Sequence, residues 1–274
     1  MKWTRLWLLL AYIILIAGAV VMLLPLFWMV SAAFKPLDEI IRTPPTWIPI
    51  HPTLANFQGA FQQFPFARYM WNSIWTTFII VTTVLVTSAT GGYALSKFQF
   101  PGRDVIFIVL LSSLMIPFQS RMIPLYQMMV KLHLVNTYTG VVFPFLFDAM
   151  GIFLMRQFML GLPDELSEAA RIDGANEGVV FMRIVLPQVK PALSALAIFT
   201  FSWVWEEFLW PIIITNSDAT RTVPVGLQYF AEQYGTRIDL QMAGALLAVL
   251  PVLVVFLILQ RQFVEGITMT GLKG

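Results

Sequence analysis

The 274 residues are 58% hydrophobic and only 12% charged, whereas globular domains run at roughly half apolar and about a quarter charged, so an ordinary soluble domain is excluded. A net charge of +2 is too small for the clustered Lys and Arg of a nucleic-acid-binding face. The absence of Cys removes disulfide scaffolds and thiolate-ligated metals, and His51 and His133 alone offer little for an imidazole-based metal centre.

A bilayer-spanning helix needs about 20 predominantly apolar residues, and the chain supplies six such stretches. The first, about residues 6–34, has no charge between Arg5 and Lys35. It is about twice as long as the 7–15-residue apolar region of a signal peptide, so it is expected to stay as an anchor. The segment from Ile41 to Phe66 then reads as a folded extracytoplasmic excursion. Pro44, Pro45, Pro49 and Pro52 break helices there, and Trp47, Phe57, Phe61 and Phe64 supply aromatic contact area at interface depth; a passive linker is the alternative.

Span two, 72–96, opens on Asn72-Ser73, and span three, 105–130, is interrupted by Pro117, Arg121 and Pro124. Span four, 137–160, carries Asp148; span five, 192–214, carries Glu206 and Glu207; span six, 240–260, is uncharged and holds Pro251. The expected fold is an all-α integral membrane protein, a single transmembrane domain over 1–274. With both termini cytoplasmic, ten Lys and Arg lie inside (Lys2, Arg5, Lys97, Arg103, Arg156, Arg171, Arg183, Lys190, Arg261, Lys273) against seven outside, a modest positive-inside bias.

Between spans four and five lies a long polar stretch on the inner side, 162–187. Pro163-Asp164 is a helix-start signal and Gly174 a helix-stop signal, which predicts a short helix over Glu165 to Asp173. Asn176 can cap a second helix, ending before Pro187. Ala169, Ala170 and Ala175 keep the surface low enough for close approach of another protein. Leu166, Ile172, Phe181 and Ile184 offer apolar knobs, and Glu168, Arg171 and Asp173 supply charge. A helix lying on lipid is disfavoured, since Glu165, Glu168, Asp173 and Glu177 would be repelled by anionic headgroups.

Glu168-Ala169-Ala170, three residues, Gly174, nine residues, Ile184, one residue and Leu186-Pro187 resemble the EAA motif of importer-type ABC permeases, the membrane subunits of binding-protein-dependent uptake systems. Asn72-Ser73, the run Trp205-Glu206-Glu207-Phe208-Leu209-Trp210-Pro211, Met242-Ala243-Gly244-Ala245 with Leu250-Pro251, and Gln260 to Gly266 are similar to the carbohydrate-uptake subgroup, the maltose- and glycerol-3-phosphate-type permeases, and most closely to their second, shorter permease subunit. One departure stands in span five, where this chain has Glu206 and that subgroup commonly has Asn.

The resemblance implies a multi-pass permease of a prokaryotic plasma (inner) membrane that moves a sugar or oligosaccharide inward. Glu168, Ala169, Ala170, Asp173, Gly174, Ile184, Leu186 and Pro187 would couple it to an ATPase. The chain has no Gly-x-x-x-x-Gly-Lys-Ser/Thr loop and so cannot hydrolyse ATP by that route; it is not expected to be an enzyme or to hold a cofactor. ATP and Mg would be bound by two partner ATPase subunits, and the remaining partners implied are a second homologous permease, an extracytoplasmic substrate-binding protein and membrane lipid.

For the substrate pathway the candidates are Trp205, Glu206, Glu207, Phe208, Arg121 and Asp148. On a continuous span-five helix Glu206 and Glu207 would face about 100° apart, one toward the pathway and the other toward a neighbouring span. Arg121 and Asp148 lie equally far from the centre of the span three and four hairpin. They either pair across it, or Arg121 reaches the outer interface while Asp148 binds backbone or water. Trp47, Leu227, Tyr229, Phe230 and Tyr234 are the candidate surface for the binding protein, headgroup anchoring being the alternative. An ion-coupled secondary transporter using Glu206, Glu207, Asp148 and Arg121 is the competing function, disfavoured by the lack of an internal repeat.

Overall fold

The computed structural model describes residues 2–235 and 237–271, with side chains described at 7–230, 235, 237–258 and 260. Among these there is no strand. In chain order the helices are α1 (Lys2–Ala33), α2 (Leu37–Ile40), α3 (Ala55–Gln63), α4 (Phe66–Lys97), α5 (Arg103–Leu114), α6 (Phe118–Lys131), α7 (Tyr138–Val142) and α8 (Ala149–Leu160). There follow α9 (Glu165–Ile172), α10 (Glu177–Val179), α11 (Leu186–Gln188), α12 (Lys190–Glu206), α13 (Leu209–Ile214), α14 (Val223–Tyr234) and α15 (Ile238–Gly271).

Three helices are long and apolar enough to cross a bilayer unaided: Trp7–Ala33, Phe66–Lys97 and Ile238–Ile258. Three further pairs of helices, each bent at a short break, bring the total to as many as six when each pair is counted as one span. Span three, expected over 105–130 with interruptions, breaks sharply: α5 and α6 meet at 99°. Pro117 causes the break: it lacks an N–H and drives the residue before it out of the helical region. Span four bends by 43° after a 3₁₀ turn at Phe143–Phe145. Span two starts at Phe66, six residues before the expected 72, directly after Pro65. Inside α4, Thr76, Thr83, Thr87 and Thr90 each donate a hydroxyl to the carbonyl four residues back, which satisfies them where water is absent.

The chain divides into two compact units, 1–67 with 226–251 and 68–225 with 252–274. In the first, the excursion after α1 is folded around Glu39, which is 5% exposed. Its carboxylate accepts from the backbone N–H of Ile50 and His51 and from the Thr46 hydroxyl. Burial opposes ionisation of Glu39, but these donors outweigh it and hold the carboxyl below its usual range. Lys35, also buried, donates to the Thr46 carbonyl and lies 4.7 Å over the Trp28 ring, and Asn56 donates to the carbonyls of Ala33 and Lys35. A passive linker would leave such groups in solvent.

The second unit is built around Ile80, Val84, Met129, Met155, Val180 and Trp210. The span three and four hairpin turns at His133 and Asn136, both at positive φ (56° and 59°).

Candidate functional site: the loop between α8 and α12

The loop after α8 begins where Lys97, at the end of α4, donates to the Leu162 carbonyl at 2.9 Å and to the Asp164 carboxylate at 2.6 Å. Asp164 precedes α9 as expected, but that carboxylate makes no cap to the helix, being held by Lys97 instead. α9 ends in a complete Schellman turn: Gly174 N–H bonds the Arg171 carbonyl at 3.0 Å and Ala175 N–H the Ala170 carbonyl at 2.9 Å. Gly174 sits at φ 88°, the left-handed region a residue with a Cβ enters only under strain. Asn176 caps the next segment through Val179 N–H, as expected.

That second helix does not stop before Pro187. A π-helical turn, Val180–Val185, runs into α11, which contains Pro187, and the bend comes after it, α12 leaving at 75°. The wider π turn is a way for a helix to carry a residue that cannot complete the usual ladder.

The motif residues divide between two faces. Glu168, Ala169, Asp173, Gly174 and Pro187 are exposed, with Leu166 and Ile172 beside them at 52% and 86%. Ala170, Ala175, Phe181 and Leu186 instead pack on the core, and Ile184 is half-buried. Of the three alanines expected to admit a partner only Ala169 is open, and Phe181 is no exposed knob, since its ring lies 5.0 Å from Tyr93. Arg171 and Glu177, read as surface charge, satisfy one another: Arg171 Nε donates to Glu177 Oε1 at 2.7 Å and Tyr93 Oη to Oε2 at 2.8 Å. Those two hydrogen bonds hold the Glu177 carboxyl below its usual range.

The pathway candidates are brought together only in part. Arg121 and Asp148 line one cavity of about 430 Å³ in the second unit, with Phe118, Phe145, Thr200 and Trp203 on its walls. No ion pair joins the two charges among the described residues. Asp148 is the N-cap of α8, its carboxylate accepting from Met150 and Gly151 N–H at 3.1 and 2.9 Å, so Asp148 is bound to backbone, as the second alternative expected of it. Asp148→Ala is expected to lower stability by about 1 kcal/mol, the typical worth of a cap, and Arg121→Ala to add nothing beyond its own effect. Thermal unfolding of the two single variants and the double in detergent would reveal coupling if a pair existed.

Span five is also interrupted. Glu206 ends α12 and is exposed, whereas Glu207 has left the helix at φ −62°, ψ 120° and caps α13 by accepting from Trp210 N–H at 3.0 Å. The 100° argument therefore fails, since it assumed one continuous helix, and Glu207 is engaged within its own chain. Trp205 is buried and stacks on Phe201 at 5.7 Å, and Phe208 is half-buried. Asp148 and Glu207, two of the carboxylates a proton or ion relay would require, are both occupied by helix termini.

In the first unit, Trp47 is half-exposed and meets Trp28 edge-on at 5.5 Å. Phe230, expected on a docking surface, is 5% exposed and packs on Phe64 at 3.9 Å. Leu227, half-buried, lies against α15 at Gly244. Both pack within the first unit. Tyr229 is half-buried, and the side chain of Tyr234 lies outside the described residues.

Residues 88–268 match the family model of the binding-protein-dependent transport system inner membrane component, a stretch that contains the whole loop. The chain belongs to this family. It is similar to the arabinooligosaccharides transport system permease protein AraQ of Halalkalibacterium halodurans, 40% identical over 262 residues, 93% of each chain. It is 35% identical over 264 residues to the sn-glycerol-3-phosphate transport system permease protein UgpE of Yersinia pestis, covering 93% of this chain and 94% of that one. A solved bacterial ABC transporter involved in the import of the acidic polysaccharide alginate shares the fold, with a TM-score of 0.85 over 96% of this chain and 98% of that one at 22% identity. This permease family is multi-pass and of the inner membrane, which agrees with the helices above, and an ion-coupled carrier is no longer a competing reading.

Proposed function

We propose that this permease forms one half of the membrane path of an importer for a sugar or oligosaccharide, with a second, homologous permease completing the path. The chain acts as one transmembrane domain with both termini cytoplasmic, and hydrolyses nothing itself. Two ATPase subunits holding ATP and Mg bear on the exposed side of α9, and an extracytoplasmic binding protein delivers the sugar. The carbohydrate assignment is supported by the named substrates of the relatives; a solved alginate transporter similar in fold is in complex with an alginate pentasaccharide-bound periplasmic protein. The observation that carries the reading is the outward face of α9: Leu166, Glu168, Ala169 and Ile172 are exposed on a helix whose Ala170 packs on the core and whose flanking residues Leu162, Asp164 and Glu177 are bonded to α4. Such a face offers apolar anchors with charge at the rim.

The chain contains no cysteine, so single substitutions report one position each. Glu168→Cys and Ala169→Cys are expected to react with a membrane-impermeant maleimide only from the cytoplasmic side of vesicles, and to crosslink to the ATPase. Labelling from the outer side, or crosslinks that never capture an ATPase in a transporting complex, would overturn the assignment.

A further inference from the structure

α4 is bonded through side chains at both of its ends. At the cytoplasmic end, Tyr93 and Lys97 stand one turn apart on the same face. Lys97 holds the entrance of the coupling loop at Leu162 and Asp164, and Tyr93 holds Glu177 beyond its Schellman turn. The loop is thus tied to one helix from both sides of α9. Close packing stiffens the junction: a Cβ at Gly92 would meet Met155 Cβ at 2.6 Å and Arg156 N at 2.9 Å, and Arg156 donates to the Leu95 carbonyl at 3.1 Å.

At the other end, Asn72 is fully buried and donates to the carbonyls of Ala219 and Arg221 at 3.1 and 2.8 Å, while its Oδ1 accepts from the Tyr138 hydroxyl at 2.6 Å. Ser73 Oγ accepts from Val223 N–H at 2.8 Å, and the Tyr69 hydroxyl donates to Asp218 at 2.6 Å. Three consecutive contact points on α4 therefore grip the extracytoplasmic segment 218–223, which leads directly into α14. The 25-position separation of Asn72 and Lys97 makes about 38 Å of unbroken helix, and no proline interrupts it.

We infer that α4 is the rod that links the ATPase-facing loop to the extracytoplasmic segment 218–223, so that a displacement imposed at either end is felt at the other. This rests on the proposed function, because it needs an ATPase at one end and a binding protein at the other. A helix hydrogen-bonded at both termini moves as one body, whereas the bent spans can absorb a displacement at their breaks. Reciprocity follows: what a binding protein does to 218–223 alters the loop by the same free energy with which the loop alters 218–223.

The test uses the complete complex in proteoliposomes and reads ATP hydrolysis with and without the sugar-loaded binding protein. Asn72→Asp, which keeps the acceptor but loses both amide donations, and Tyr93→Phe, which loses only the bond to Glu177, are each expected to cut the stimulated increment at least about fivefold. The rate without binding protein should be unchanged. Since both interrupt one rod, the double variant is expected to lose no more than the worse single. Preserved stimulation in both variants, or losses that multiply in the double, would overturn the inference. Should Asn72→Asp not assemble, Ser73→Ala takes its place with the same criteria. A wild-type complex that shows no stimulation at all would instead count against the proposed function.

Discussion

Gly174→Val and Glu168→Lys are expected to leave the protein inserted and assembled but to reduce sugar uptake about tenfold or more per ATP hydrolysed. At Gly174 the cause is backbone strain and not a clash: no heavy atom lies within 4 Å of where a Cβ would stand, yet φ is 88°. An L residue in that region costs about 1–2 kcal/mol, and a β-branched one is a genuine outlier. Since about 1.4 kcal/mol is tenfold in population, the Schellman turn opens and α9 loses its fixed angle to α10. At Glu168 the side chain is exposed and has no described ion-pair partner, so replacement by Lys disturbs nothing inside the chain and reverses the sign offered at the proposed ATPase contact. The control is Gly102→Val. Gly102 is also at positive φ, 84°, with open space around it, but it lies outside the loop 162–187. Its replacement should cost folding by a similar amount while leaving uptake per ATP intact. Uptake by proteoliposomes of the complete complex, set against hydrolysis in the same vesicles, separates the two; normal coupling in both loop variants would remove 162–187 as the point of contact.

The largest loss of stability is expected from Asn136→Ala. Asn136 sits at φ 59° at the tip of the span three and four hairpin, where Asn is tolerated better than most residues because its short side chain bonds locally. Its Oδ1 accepts from the backbone N–H of Asn216 at 3.1 Å and of Ser217 at 3.2 Å and from the Thr220 hydroxyl at 2.6 Å. Its Nδ2 donates to Ser217 Oγ at 2.9 Å. Alanine leaves the buried Thr220 hydroxyl and the half-buried Ser217 N–H without this acceptor at about 1 kcal/mol each and adds about 1 kcal/mol or more of left-handed strain, so a loss of about 2–4 kcal/mol is expected. Asn136→Asp keeps the acceptor and should recover most of it. Thermal unfolding in detergent checks both, and equal melting of Asn136→Ala and the parent would show that the network contributes nothing.

Much of this protein was legible in short windows of its sequence. Runs of apolar residues predict the three unbroken spans because hydropathy is a sum over neighbours along the chain. The Schellman turn at Gly174 and the cap at Asn176 were equally readable, since both are closed by residues within five positions. The Pro117 break was visible in composition, yet its consequence was not: whether a proline bends a span slightly or by 99° depends on what packs against the two halves.

The site residues that were misplaced share one cause. Phe181, Phe230 and Glu207 have the composition of surface knobs and a pathway carboxylate, and nothing local distinguishes those roles from packing on Tyr93, filling against Phe64 or capping α13. The sequence by itself determined that the chain spans a membrane, that it carries no phosphate-binding loop, and where its EAA-like motif lies, because each is a property of residue order and spacing. Only the tertiary structure decided which half of that motif faces outward and which residues grip α4. The Tyr93–Glu177 bond joins residues 84 positions apart and the Asn72–Arg221 bond residues 149 apart. A hydrogen bond of that kind is specified by two distant side chains arriving together, and neither carries a mark of the other.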